Sequence, residues 1–147
     1  MAIFSLAQRT SATAAASADQ EIIAGANNAF RVLEYGFTQN AATAGVFGLG
    51  TPAANGITPT SPVTGLAEDQ GDTTTGATTS ALAWGTGPTV PANFFRRISC
   101  AATIGVGTIW TFPRGLKKLK GPPAAGTLVL WIIATAPVLD TWWVVDE

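Results

Sequence analysis

The chain has 147 residues, 47% of them hydrophobic and 12% charged, and eight Lys/Arg against nine Asp/Glu leave a formal net charge of −1. That length fits one domain with at most an appended arm. Low charge with five tryptophans excludes disorder, and the charge balance argues against a broad nucleic-acid footprint. With no histidine and a single cysteine, Cys100, no His-dependent triad, zinc site or internal disulfide can be built, and no catalytic residue, cofactor or metal ligand is expected.

Residues 1–9 carry no basic stretch ahead of an apolar one, so they do not read as a signal peptide, and a chain made and kept inside the cell is expected. Residues 10–20 are rich in Ala, Ser and Thr but place no large apolar side chain at helical spacing. Residues 1–19 are therefore expected to form an extended N-terminal arm or edge strand, with the domain proper at 20–147.

Residues 30–38 read as a strand, with Phe30, Val32, Glu34 and Gly36 on one face and Arg31, Leu33, Tyr35 and Phe37 on the other. Residues 46–50 form a short glycine-flanked strand. Residues 51–76, punctuated by Pro52, Pro59 and Pro62, read as a long loop, a functional or interface-forming excursion. Within it Glu68, Asp69 and Asp72 lack the spacing of a calcium loop and read as a solvated tip.

The second half is denser in strands: residues 78–84, 93–101, 108–112, 127–135 and 141–145. Arg96 and Arg97 are adjacent, so a strand aims them apart, at least one of them into an ion pair or an interface. Arg114, Lys117, Lys118 and Lys120 lie in a Gly- and Pro-bounded stretch that reads as a turn or hairpin loop, either meeting an acidic partner or keeping a sheet edge soluble. Residues 127–139 are too short to span a bilayer, so no membrane is expected. The last two strands are apolar on both faces, with Trp131, Trp142 and Trp143. Such strands are central in a sandwich or covered by another subunit. Short strands separated by turn signals predict an all-β fold, a β-sandwich of jelly-roll-like form with an extended N-terminal arm and a long mid-chain loop.

Several phrases go further: Phe47-Gly48-Leu49-Gly50-Thr51-Pro52-Ala53-Ala54, Gly56-Ile57-Thr58-Pro59, Ala81-Leu82-Ala83-Trp84-Gly85-Thr86, Pro91-Ala92-Asn93-Phe94-Phe95-Arg96-Arg97 and Trp110-Thr111-Phe112-Pro113-Arg114-Gly115-Leu116, with the Trp-rich terminus. Together they resemble small structural proteins of tailed bacteriophages that decorate or cement the head shell. The resemblance spans roughly residues 20–147, in strand and turn phrases rather than a catalytic signature. It implies a non-enzymatic virion protein on the capsid surface, made in the host cytoplasm. Its partners would be the major capsid protein and copies of itself, as a trimer first and a dimer next, without nucleic acid. Trp131, Trp142, Trp143, Arg96, Arg97, Arg114, Lys117, Lys118 and Lys120 are the candidate interface residues. The alternative is a carbohydrate-binding or fibre or spike head module, which would expose a pair of tryptophans.

Overall fold

Alternation of large apolar with small or polar side chains builds two sheets that bury one face each. The computed structural model describes residues 2–11, 14–25, 29–69, 71, 74–118, 127–135 and 137–147, with Lys117 and Lys118 by backbone alone, and among these residues there is no helix. The first sheet runs β11 (Gly107–Lys118), β3 (Phe30–Gln39), β13 (Leu139–Asp146), β1 (Ile3–Arg9) and β7 (Leu66–Ala67). The second runs β10 (Arg96–Cys100), β4 (Gly45–Gly50), β12 (Thr127–Ala134), β2 (Ser17–Ile23), β8 (Thr79–Ala81) and β6 (Val63–Thr64). All pairings are antiparallel. The protein is an all-β sandwich.

The core between the sheets joins Phe4 and Leu6 of β1, Tyr35 and Phe37 of β3, Phe47 and Leu49 of β4, and Leu128, Leu130 and Ile132 of β12 to Trp143 of β13. Aromatic rings dominate its centre: Tyr35 lies 4.0 Å from Trp143 and Phe37 4.8 Å from Phe47 between ring centroids. Each such side chain stabilises the fold by about 1.5–3 kcal/mol through burial alone. One polar chain crosses this region. The Tyr35 hydroxyl donates to Gln20 Oε1 (3.3 Å), and Gln20 Nε2 donates to Ser80 Oγ (3.0 Å) and Gln8 Oε1 (3.2 Å). Burial, with Asp19 nearby, pushes the Tyr35 phenol well up, so it stays a donor.

Four sequence expectations are corrected here. The stretch expected as an arm or edge strand instead supplies inner strands: β1 sits inside the first sheet between β13 and the two-residue β7, and β2, from Ser17, sits inside the second between β12 and β8. Burial of Phe4 and Leu6 fixes β1 there. In β3 the inward face changes from Phe30 and Val32 to Tyr35 and Phe37, because Leu33 is an extra residue between Glu34, opposite Val144, and Val32, opposite Val145. A bulge resets the alternation, which strict period two cannot anticipate. The described part of the 51–76 segment is not all loop. Its later part supplies β6 and β7, and its earlier part carries β5 (Ile57–Pro59), which pairs with β9 (Trp84–Thr86) in a small third layer.

That layer explains the doubly apolar β12 and supplies the fourth correction. Val129 and Trp131 face away from the central core and are buried with Ala18 under Trp84 and Phe94. They are covered by the chain itself and not by a second subunit. Glycines in β4 make room for the cover: a Cβ at Gly48 would lie 2.7 Å from Phe94 Cδ1, and one at Gly50 3.1 Å from Pro91 Cγ.

Candidate functional site

The interface residues expected from the sequence separate into three environments. Trp143 is 0% exposed in the central core and Trp131 1% exposed beneath the third layer, so neither presents a surface on the subunit. Trp142 alternates outward from β13 and is half-buried. Trp84 and Trp110 are also half-buried, so no tryptophan in the chain is exposed as a stacking platform.

Trp142 instead flattens the outer face of the first sheet. Ala7, Trp142, Gly36 and Ile109 form one row across four strands. The indole lies over Gly36, where a Cβ would stand 2.1 Å from Cζ2, and its Nε1 donates to Glu34 Oε1 at 2.8 Å. Ile109 at the row's end is 55% exposed. A neighbouring row carries Arg9 and Asp140, paired through Nε–Oδ1 at 2.6 Å and Nη2–Oδ2 at 3.0 Å, with Asn40 donating to Oδ2 at 3.3 Å. The hydrogen bonds from Arg9 hold the Asp140 carboxyl below its ordinary value.

The basic residues come together on one open side of the sandwich, where β10 and β11 are the edges of their sheets. Arg96 and Arg97 are exposed on β10, and the Arg96 guanidinium carbon lies 5.5 Å from the centre of the Phe112 ring on β11. Between Thr111, opposite Glu34, and Leu116, opposite Val32, β11 bulges away from β3. Pro113 lacks an N–H for the ladder, and Gly115 takes φ of 64°, a left-handed value that suits glycine. The bulge opens a recess of about 360 Å³ lined by Arg96, Phe112, Pro113, Arg114, Gly115 and Leu116. Arg31, opposite Lys117, adjoins it. None of Arg31, Arg96, Arg97 and Arg114 is in an ion pair among the described residues, which leaves, of the two expectations for Arg96 and Arg97, the interface. Lys120 lies outside the described residues, and Lys117 and Lys118 are placed by backbone alone.

The opposite open side, formed by β6 and β7, is acidic. Glu68 follows β7 directly, its backbone N–H donating to Ile3 O at 2.9 Å and its carboxylate accepting from the Ser5 hydroxyl. Asp69 accepts from the Gly71 N–H at 2.9 Å, and both acids are exposed. Asp72 lies outside the described residues. Leu66 projects beside them, 76% exposed.

Sequence reasoning passed over Glu21. It is fully buried on the outward face of β2, accepting from Trp84 Nε1 at 2.6 Å through Oε2. Burial pushes its carboxyl up, partly offset by hydrogen bonds from Trp84, Thr127 and the Gly56 backbone. It fastens the third layer to the sheet. The isolated Glu-Ile-Ile sequence gives no sign of this, because the partners come from residues 56, 84 and 127. Among the described residues no three His, Cys, Asp or Glu side chains gather as a metal site would require. Cys100 is free and buried, and burial raises its thiol pKa.

No protein-family model matches this chain, and neither a curated protein nor a solved structure matches it.

Proposed function

We propose that this chain is a non-enzymatic virion structural subunit, decorating or cementing the head shell of a tailed bacteriophage by binding the major capsid protein lattice and associating with itself. The observation that carries the reading is the outer face of the first sheet. There the Ala7–Trp142–Gly36–Ile109 row gives a partly apolar surface, with the Arg9–Asp140 pair on a neighbouring row, Glu34 bonded to the indole, and Asp146 and Arg31 on a row nearer the far end of the strands. Flat sheet faces with an aromatic centre and a polar rim suit docking on another folded surface better than enclosing a small molecule. The strand-and-turn phrases that resemble phage decoration proteins supply the identity of that partner.

The test is co-sedimentation of the purified chain with expanded capsids lacking it, with the native chain compared with Ile109→Lys and Trp142→Ala. Saturable binding by the native chain that both substitutions weaken supports the reading. Absence of binding to capsids of any phage that encodes such a chain refutes it. The carbohydrate-binding alternative is weakened by the burial of Trp131 and Trp143, which removes the exposed pair it needs.

A further inference from the structure

We propose that copies of this chain associate head to tail, the basic β10/β11 side of one against the acidic β6/β7 side of the next. The proposal deepens the assembly reading above, on which it rests for the reason to self-associate. The surfaces themselves are a separate observation.

Opposite charge occupies opposite edges of one sandwich. In the first sheet β11 and β7 are the two ends of the strand order, and in the second β10 and β6 are. Arg96, Arg97 and Arg114 lie at one side; Glu68 and Asp69 lie at the other. A contact between like sides would set arginine against arginine or carboxylate against carboxylate, whereas unlike sides neutralise each other. Association of unlike surfaces is heterologous, so each copy keeps one basic and one acidic side for a further neighbour.

The two sides also stand at one level along the strands. The Glu68 N–H donates to Ile3 O, Ile3 faces Asp146, Asp146 faces Arg31, and Arg31 faces Lys117. Patches at the same height can meet without a shift along the strands, and the rotation per copy then decides between a closed ring and an open chain.

Shape matches charge. The basic side offers the recess of about 360 Å³, with apolar walls from Phe112 and Leu116 and arginines at its rim. The acidic side offers Leu66, 76% exposed, two residues before Glu68. A leucine entering the recess would bring the following carboxylates to Arg96 and Arg114. Among the described residues both sides are the edges of their sheets, surfaces that folded proteins cover, bulge or charge.

The experiment compares the full chain with R96Q/R97Q/R114Q and with E68Q/D69N by sedimentation velocity at low and high salt, with melting curves confirming that each variant is folded. The amides keep the hydrogen bonds to Ser5 and Gly71 within reach. The native chain should associate beyond the monomer, and the association should weaken as salt screens the contact. Each variant alone should associate about tenfold or more weakly. Their equimolar mixture should form a one-to-one dimer and nothing larger, since each supplies the side the other lacks. A native chain that stays monomeric, a variant that assembles as the native chain does, or a mixture that fails to pair overturns the proposal. Capsid binding by a monomeric native chain would overturn it while leaving the decoration reading intact. Assembly through these sides without capsid binding would do the reverse.

Discussion

Trp84→Phe isolates one hydrogen bond that holds the third layer to the sandwich. The ring still packs over Val129 and Trp131, but the N–H that serves Glu21 Oε2 at 2.6 Å is gone. Glu21 is wholly buried and its Oε1 has no hydrogen-bond partner, so the carboxylate cannot recover the loss from water without opening the layer. A hydrogen bond to a charged buried group is worth about 1.5–3 kcal/mol, against about 1 kcal/mol for a neutral pair. For a chain of this length that is a fall in Tm of roughly 4–10 °C. In a Glu21→Gln background the acceptor is neutral and the same Trp84→Phe change should cost about 1 kcal/mol. The difference between the two backgrounds, read from urea melts of the four proteins, should come to about 0.5–2 kcal/mol. Equal costs in both backgrounds would refute the role given to the charge.

The same carboxylate sets a pH dependence with a definite sign. Its folded pKa is raised by burial, so the folded state holds the Glu21 proton more tightly than the unfolded chain. Its contribution is most favourable below the ordinary carboxylate value and is lost as pH rises through the raised folded value. Relative to Glu21→Gln, the native chain should therefore lose stability across that window on going from acid to neutral pH. The opposite slope in the difference curve would show that the hydrogen bonds to the ionised form outweigh its desolvation.

Gly36→Ala sets a methyl group 2.1 Å from Trp142 Cζ2, so the indole must leave the sheet face and give up Glu34. A cost of about 1–3 kcal/mol is expected, with a red-shifted tryptophan emission as its signature. Tyr35→Phe strands Gln20 Oε1 in the core and should lower stability by about 1–3 kcal/mol in urea melts. Asp140→Asn breaks an exposed pair with Arg9 and should leave Tm essentially unchanged in thermal melts. Cys100, buried with a raised thiol pKa, should react with a thiol reagent only at the rate of local or global opening, a rate that rises with denaturant.

Strands β3, β4, β10, β12 and β13 were legible because large side chains alternate with small ones over enough residues to define a face, whereas 78–84 reads as one strand and divides into β8 and β9 of different sheets, and β11 continues to Lys118 through what reads as a turn. What the sequence concealed has physical causes. Phe4 and Leu6 alternate as clearly as Phe47 and Leu49, but so short a run at a terminus invites comparison with a leader rather than with a central strand. The bulge at Leu33 has no compositional mark, since any residue can be the extra one. Two apolar faces on β12 announce that both are covered without saying by what. The cover hides in Pro- and Gly-rich sequence, where Trp84 and Phe94 stand alone and join Trp131 only in space. Its clearest trace is the pair Gly48 and Gly50, small on the outward side of a strand whose inward side carries Phe47 and Leu49. Strand order, which a jelly roll would prescribe, does not follow from strand spacing at all.

Scarce charge matters most for where it is placed. Of the carboxylates, Asp19 and Glu21 are buried, Glu34 serves Trp142, Asp140 serves Arg9, and the Glu147 side chain accepts the Ala77 and Thr78 N–H groups. Committed in this way, these groups contribute little to the outer field of the subunit. Charge left on the open sides is basic at β10 and β11 and acidic beyond β7. A sandwich needs protection at both edges, and like charges at both would have kept copies apart in every orientation. Opposite charges protect each edge from its own kind while leaving one pairing unopposed. Protection of the edges and choice of a neighbour are then the same property, which is why neutralising one side alone should convert an assembling chain into a one-sided cap.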